Sequence, residues 1–166
     1  VSPAYATTGN LGGPGMNMIF ADRRAMTDFF FTDALQAWLP SQSKIRYYNS
    51  RIPLTFLSYN FGGGRYNSQD RLNAIFSGNV NKRLQIGAMT DYLYSKGSYD
   101  NQAAKCFTWG FSTSYIGDRF DIQAYHYHYN LLNQENGGIT DDLYITDPAE
   151  IQGGTSRVDP KNIPTN

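Results

Sequence analysis

From Phe107 to Tyr129 the chain reads FTWGFSTSYIGDRFDIQAYHYHY, with aromatic residues recurring at alternate positions in each half, and Ser, Thr or Gly between those of the first half. A period of two puts alternate side chains on opposite faces of a strand, so this stretch cannot be an amphipathic helix. A two-residue turn at Gly117-Asp118, a dipeptide suited to the positive φ of tight hairpins, would set Ile116 opposite Arg119 and Tyr115 opposite Phe120. One face then collects Phe107, Trp109, Phe111, Thr113 and Tyr115 with Phe120, Ile122, Ala124, His126 and His128. The other collects Thr108, Gly110, Ser112 and Ser114 with Asp121, Gln123, Tyr125 and Tyr127. The sequence therefore describes a hairpin with one broad aromatic face and one wet face.

The preceding segment repeats the design. With Asn81-Lys82-Arg83 as the connection, Val80 meets Leu84, and the pairs Gly78 with Ile86, Phe76 with Ala88, Ala74 with Thr90 and Leu72 with Tyr92 share the apolar face. Asn79 with Gln85, Ser77 with Gly87 and Asn73 with Asp91 share the wet one, and Ile75, Met89 and Leu93 are exceptions on that side. A third hairpin joins Pro53–Phe61 to Ser68–Val80 across GGGRYN. It sets Thr55, Leu57, Tyr59 and Phe61 on the apolar side and Phe56, Ser58 and Asn60 on the other.

Strand and loop lengths separate a membrane barrel from a soluble sandwich. These strands reach about 10 residues, enough to cross the hydrocarbon at the usual tilt, whereas globular strands average about five or six. Connections alternate between short ones, at Asn81–Arg83 and Gly117-Asp118, and longer ones, at Gly62–Asn67, Gly97–Ala104 and after Leu132. That asymmetry is the outer-membrane pattern of short periplasmic turns opposite longer outer loops. Tyr115 and Phe120 near the short turns, with Phe107 and Trp109 toward the far end, are placed as two aromatic girdles. Alternation also accounts for the negative mean hydropathy beside 13 Tyr and 10 Phe, since one residue in two would meet lipid.

The fold class expected is all-β, an antiparallel wall of long hairpins belonging to a larger transmembrane barrel. Residues 1–44 form an entry segment, in which Met16–Arg24 is a candidate strand and Thr27–Pro40 a candidate short helix or interfacial loop. Residues 45–132 form the hairpins. Residues 133–166 form a polar loop or a continuation, with at most a short strand at Leu143–Thr146. An unsealed strand edge in lipid costs several kcal/mol for each unpaired backbone group, so remaining barrel strands or other outer-membrane proteins are expected partners beside outer-membrane lipid.

Other function classes find little support. The formal net charge is zero, and no basic cluster offers phosphates a counter-charge, which sets nucleic acid aside. Cys106 is the lone cysteine, so neither an internal disulfide framework nor a cysteine zinc cluster forms, and its thiol is expected near the wet face. His126 and His128 have chelating spacing but no third ligand nearby. GGGRYN lacks the Lys-Ser/Thr ending of a phosphate loop, and the spacing of Asp141, Asp142, Asp147 and Glu150 matches no EF-hand. Ser112 and Ser114 point away from both histidines, so no Ser-His pair forms, and no catalytic residue, metal or cofactor is assigned.

Several stretches resemble a known family. They are NLGGPGMNMIFADR at Asn10–Arg23, SRIPLTFLSYNFGGGRYNSQDRLNAIFSGNVNKRLQIG at Ser50–Gly87, YSKGSYDNQAAK at Tyr94–Lys105 and NQENGGITDD at Asn133–Asp142. Together they resemble the N-terminal part of the Putative porin family of Bacteroidota outer membranes. The resemblance covers nearly all of this chain and implies a large outer-membrane barrel several times its length, without a catalytic motif.

The function expected on this reading is passive, porin-like transport of small hydrophilic solutes. A structural or docking barrel component of an outer-membrane complex is the alternative, and a lipid-active barrel enzyme ranks below both. Asn73, Ser77, Asn79, Gln85, Asp91, Ser112, Ser114, Asp121 and Gln123 would line the pore, a mostly neutral wall of weak ion selectivity. Leu72, Phe76, Tyr92, Phe107, Trp109, Phe111, Tyr115 and Phe120 would face lipid or form the girdles.

Overall fold

A computed structural model describes residues 4–23, 30–39, 45–64, 67–99, 101–147 and 163–164. Two short strands, β1 (Tyr5–Thr7) and β2 (Gly15–Asn17), pair with each other. Five long ones follow: β3 (Leu54–Gly62), β4 (Gln69–Asn79), β5 (Leu84–Lys96), β6 (Ala103–Ile116) and β7 (Asp121–Gln134). They form an antiparallel meander in sequence order, so the fold is all-β. No helix among the described residues is long and apolar enough to cross a membrane.

The β4–β5 register is the expected one, with Asn79 opposite Gln85, Asn73 opposite Asp91 and Leu72 opposite Tyr92. Asn81 fixes the turn, its side-chain oxygen accepting from the backbone N–H groups of Arg83 and Leu84, each at 2.8 Å. The β3–β4 pairing sets Thr55, Leu57, Tyr59 and Phe61 on one face, as the alternation requires.

The β6–β7 hairpin departs from expectation by two residues. Gly117 does not adopt the positive φ of a two-residue turn, and its N–H donates to the Phe120 carbonyl at 3.1 Å. The connection is therefore Gly117–Phe120, and Ile116 faces Asp121, Tyr115 faces Ile122, Phe111 faces His126 and Trp109 faces His128. A shift of two leaves every side chain on its assigned face, because the strand period is two. β6 also begins at Ala103, which puts Trp109 at mid-strand; the far end instead carries Tyr59, Phe61, Tyr92 and Phe107.

Other local features meet expectation in part. Of Met16–Arg24, only Met16 and Asn17 belong to a strand; a 3-10 turn follows at Phe20–Asp22, and Arg24 lies outside the described residues. The Thr27–Pro40 stretch holds a 3-10 helix at Phe30–Leu35, with Thr27–Phe29 and Pro40 outside the described residues. Leu143–Thr146 is one helical turn and not a strand. The Asp141 carboxylate accepts from the Leu143 N–H at 2.9 Å, and a chain turned by its own Asp in this way has no free edge to pair.

Candidate functional site

The sheet's two faces are packed in the reverse of a water-soluble sheet. On the aromatic face Leu57, Phe61 and Phe111 are 69%, 80% and 59% exposed, while on the polar face Ser77, Gln85 and Thr108 are 2%, 5% and 3% exposed. About ten large apolar residues lie bare on one side, where burial would be worth roughly 1.5–3 kcal/mol each. Even at half value that is comparable with a domain's whole stability of about 5–15 kcal/mol. Water is the wrong solvent for such a face.

Described stretches of the chain's first third cover part of the polar face. Trp38 packs with Leu93 and Cys106, flanked by Leu11, Leu35, Ala37 and Leu131. Its indole N–H donates to the Gly13 carbonyl at 2.8 Å. The Ser95 hydroxyl donates to the Leu11 carbonyl, the Gln102 amide to the Thr8 carbonyl at 3.0 Å, and the Cys106 thiol to the Gly12 carbonyl at 3.7 Å. Gly12 has φ +89°, and a Cβ there would stand 3.0 Å from a Leu93 methyl, so glycine permits both the turn and the close approach. Tyr5 braces the segment, donating to the Gly15 carbonyl at 2.8 Å, and burial pushes its phenol above the usual range against a smaller opposing effect of the Ala37 backbone.

Nearer the short turns, the stretch from Ile45 to Asn49 crosses the same face. Ser77 donates to the Tyr48 carbonyl at 3.4 Å, and the Asn79 amide donates to the Asn49 side chain at 2.5 Å. Between this stretch and the sheet lies an open cavity of about 290 Å³, bordered by Tyr48, Ser77, Gln85, Met89, Ser112 and Tyr127. Tyr127 lies across Gly110, where a Cβ would overlap its ring. Tyr125, Tyr127 and Tyr129 form a ladder along β7, with ring centroids 5.7 and 6.4 Å apart.

All nine residues expected to line a pore fall on this polar face. Asn73 and Asp91 are paired across β4–β5, Asn79 with Gln85 likewise, and Ser112, Ser114, Asp121 and Gln123 follow on β6 and β7. Ser77, Gln85 and Ser114 are buried beneath or beside the covering segment, and Gln85 donates to Ser77 at 2.8 Å. Asp121 and Gln123 stay exposed. The eight residues expected on the other side, Leu72, Phe76, Tyr92, Phe107, Trp109, Phe111, Tyr115 and Phe120, all lie on the aromatic face or its turn, with Tyr92 near Phe107 and Tyr115 near Phe120.

Sequence reasoning missed Arg71. It lies on the polar face beside Leu93, and its guanidinium grips both oxygens of Asp91 at 3.0 and 2.6 Å, which neutralises that carboxylate. The alternation already put Arg71 on the wet side, so parity alone could have found it. Trp38 left no such signal, because its partners are distant in sequence.

The remaining candidates have local explanations. His126 and His128 flank Trp109, with ring centroids 5.8 and 5.6 Å away. No group of three possible metal-ligating side chains occurs among the described residues. In GGGRYN the Gly64 N–H donates to the Asn67 side chain at 2.8 Å, closing a hairpin loop whose Arg65 and Tyr66 lie outside the described residues, as Glu150 does.

No curated protein and no solved structure matches the chain. The family model described as Putative porin matches residues 2–166. That match supports, in general terms, a porin-like outer-membrane protein, and weakly a channel over an enzyme. The chain belongs to the Putative porin family.

Proposed function

We propose that this chain forms a wall of an outer-membrane β-barrel through which small hydrophilic solutes pass passively. The observation that carries the reading is the reversed packing: aromatic and aliphatic side chains bare on one face, polar ones enclosed on the other. Hydrocarbon satisfies the first face and water the second, which is the division a barrel wall makes between lipid and lumen. Strands of 9 to 14 residues are long enough to cross at the usual tilt.

Passage of this kind needs no chemical step. The lumen's width and charge decide what crosses, and Asn73, Gln85, Ser112, Ser114 and Gln123 make a neutral, hydrogen-bonding wall on which the Arg71–Asp91 pair cancels its own charge. Because β3 and β7 each have one neighbour among the described residues, further strands must seal both edges in lipid. Single-channel recording of the complete protein in planar bilayers tests the reading: stepwise, weakly selective conductance is expected. Silence, together with copurification of a stoichiometric partner, would replace transport with docking.

A further inference from the structure

Three features of the N-terminal third fit together. Its Thr8–Gly13 loop accepts three side-chain hydrogen bonds, from Ser95, Gln102 and Cys106, and Trp38, tied to the Gly13 carbonyl, packs on Leu93 and Cys106 of the polar face. The residues that break the alternation on the wet side are the ones beneath it. Leu93 lies under Trp38, and Ile75 and Met89 border the cavity under Ile45 and Tyr48. Finally, the segment carries Met18, Phe20 and Phe30, exposed in this chain. Apolar groups docked on the sheet together with others left bare suit a layer held between two walls.

We propose that the described stretches 4–23, 30–39 and 45–49 are a plug resident in the lumen, latched to this wall at Leu93 and Cys106 and reaching the opposite wall through Met18, Phe20 and Phe30, so that these stretches, more than the strands, set how wide the passage is. The proposal rests on the reading of the polar face as lumen. The latch is specific. Gly12 sits where a side chain would meet Leu93, Ala104 and Cys106 at 3.0, 3.3 and 3.4 Å and has φ +89°, so a branched side chain there, strained in its backbone and crowded on three sides, should push the loop off the sheet. The barrel strands are untouched by such a change, because Gly12 lies outside them.

Cys106, buried under Gly12, reports the latch directly. The experiment uses the complete protein in lipid vesicles, with a small charged methanethiosulfonate as the thiol probe and heat-modifiable gel mobility as the check that the barrel is formed. Wild type should resist modification. Gly12→Val, and independently Trp38→Ala, should be modified at least about tenfold faster and conduct about twofold or more in bilayers. Faster modification with unchanged conductance would overturn the plug, leaving a docked segment that constricts nothing. Equal modification of wild type and both variants would overturn the latch itself. Protection lifted while neither wild type nor variant conducts would locate the failure in the channel reading, and the plug would fall with it.

Discussion

Phe111→Arg tests the orientation of the sheet most sharply. Phe111 lies five residues from the Ile116 end of β6 on the aromatic face. At about 3.3 Å per residue and a tilt near 40°, that is a depth of roughly 13 Å, close to the middle of an apolar band about 25 Å tall. A cation there should cost about 2–4 kcal/mol of barrel stability. Phe111→Ala removes the contact with Trp109, whose ring is 5.7 Å away, without adding charge, so the difference between the two variants isolates the cost of charge in lipid. Ser112 is at the same depth on the other face and borders the cavity of about 290 Å³, which leaves room for a long side chain. Ser112→Arg should therefore cost under about 1 kcal/mol. Ile86→Arg, on the aromatic face but two residues from the Leu84 end of β5, should fall at about 0–1 kcal/mol because it lies near the interface. Urea unfolding of the complete protein in lipid vesicles, followed by tryptophan fluorescence, measures all four. Equal costs for Phe111→Arg and Ser112→Arg would refute the assignment of faces, and equal costs at Phe111 and Ile86 would refute the depth argument.

In a Cys106→Ala background, a water-soluble maleimide should modify Ser112→Cys and spare Phe111→Cys; the reverse pattern would invert the wall. Arg71→Gln should leave the Asp91 carboxylate without its partner and shift the reversal potential in a salt gradient toward cation preference; an unchanged potential would mean Asp91 does not face the conducting path. Residues 1–166 alone should not refold in detergent into a heat-resistant species, because among the described residues β3 and β7 have no second neighbour; a heat-resistant band from them would show that this stretch closes on itself.

Alternation by itself determined the five long strands, β3 to β7, their pairing order and the faces of their residues. This is robust because a sequence period of two survives errors in the turns: the β6–β7 register moved by two residues, and Trp109 moved to mid-strand, without one side chain changing sides. Turn chemistry was legible at Asn81, whose side chain closes its own connection, and not at Gly117, whose N–H is taken by the Phe120 carbonyl and the Asp121 side chain in a longer connection. The tail read as loop with at most a short strand at Leu143–Thr146, but a strand needs a partner, and the Asp141 side chain, taking the Leu143 N–H, leads into a helical turn instead. Only the tertiary structure decided what covers the polar face. Trp38 meets Gly13, Leu93 and Cys106, and Ser95 meets Leu11, across separations of up to 84 residues, and no local pattern encodes contacts of that range. The wet-side exceptions Ile75, Met89 and Leu93 were visible as breaks in the pattern. Their meaning depended on the segment lying over them, because a hydrophobic residue on a polar face is explained by its neighbour in space and not by its neighbours in sequence.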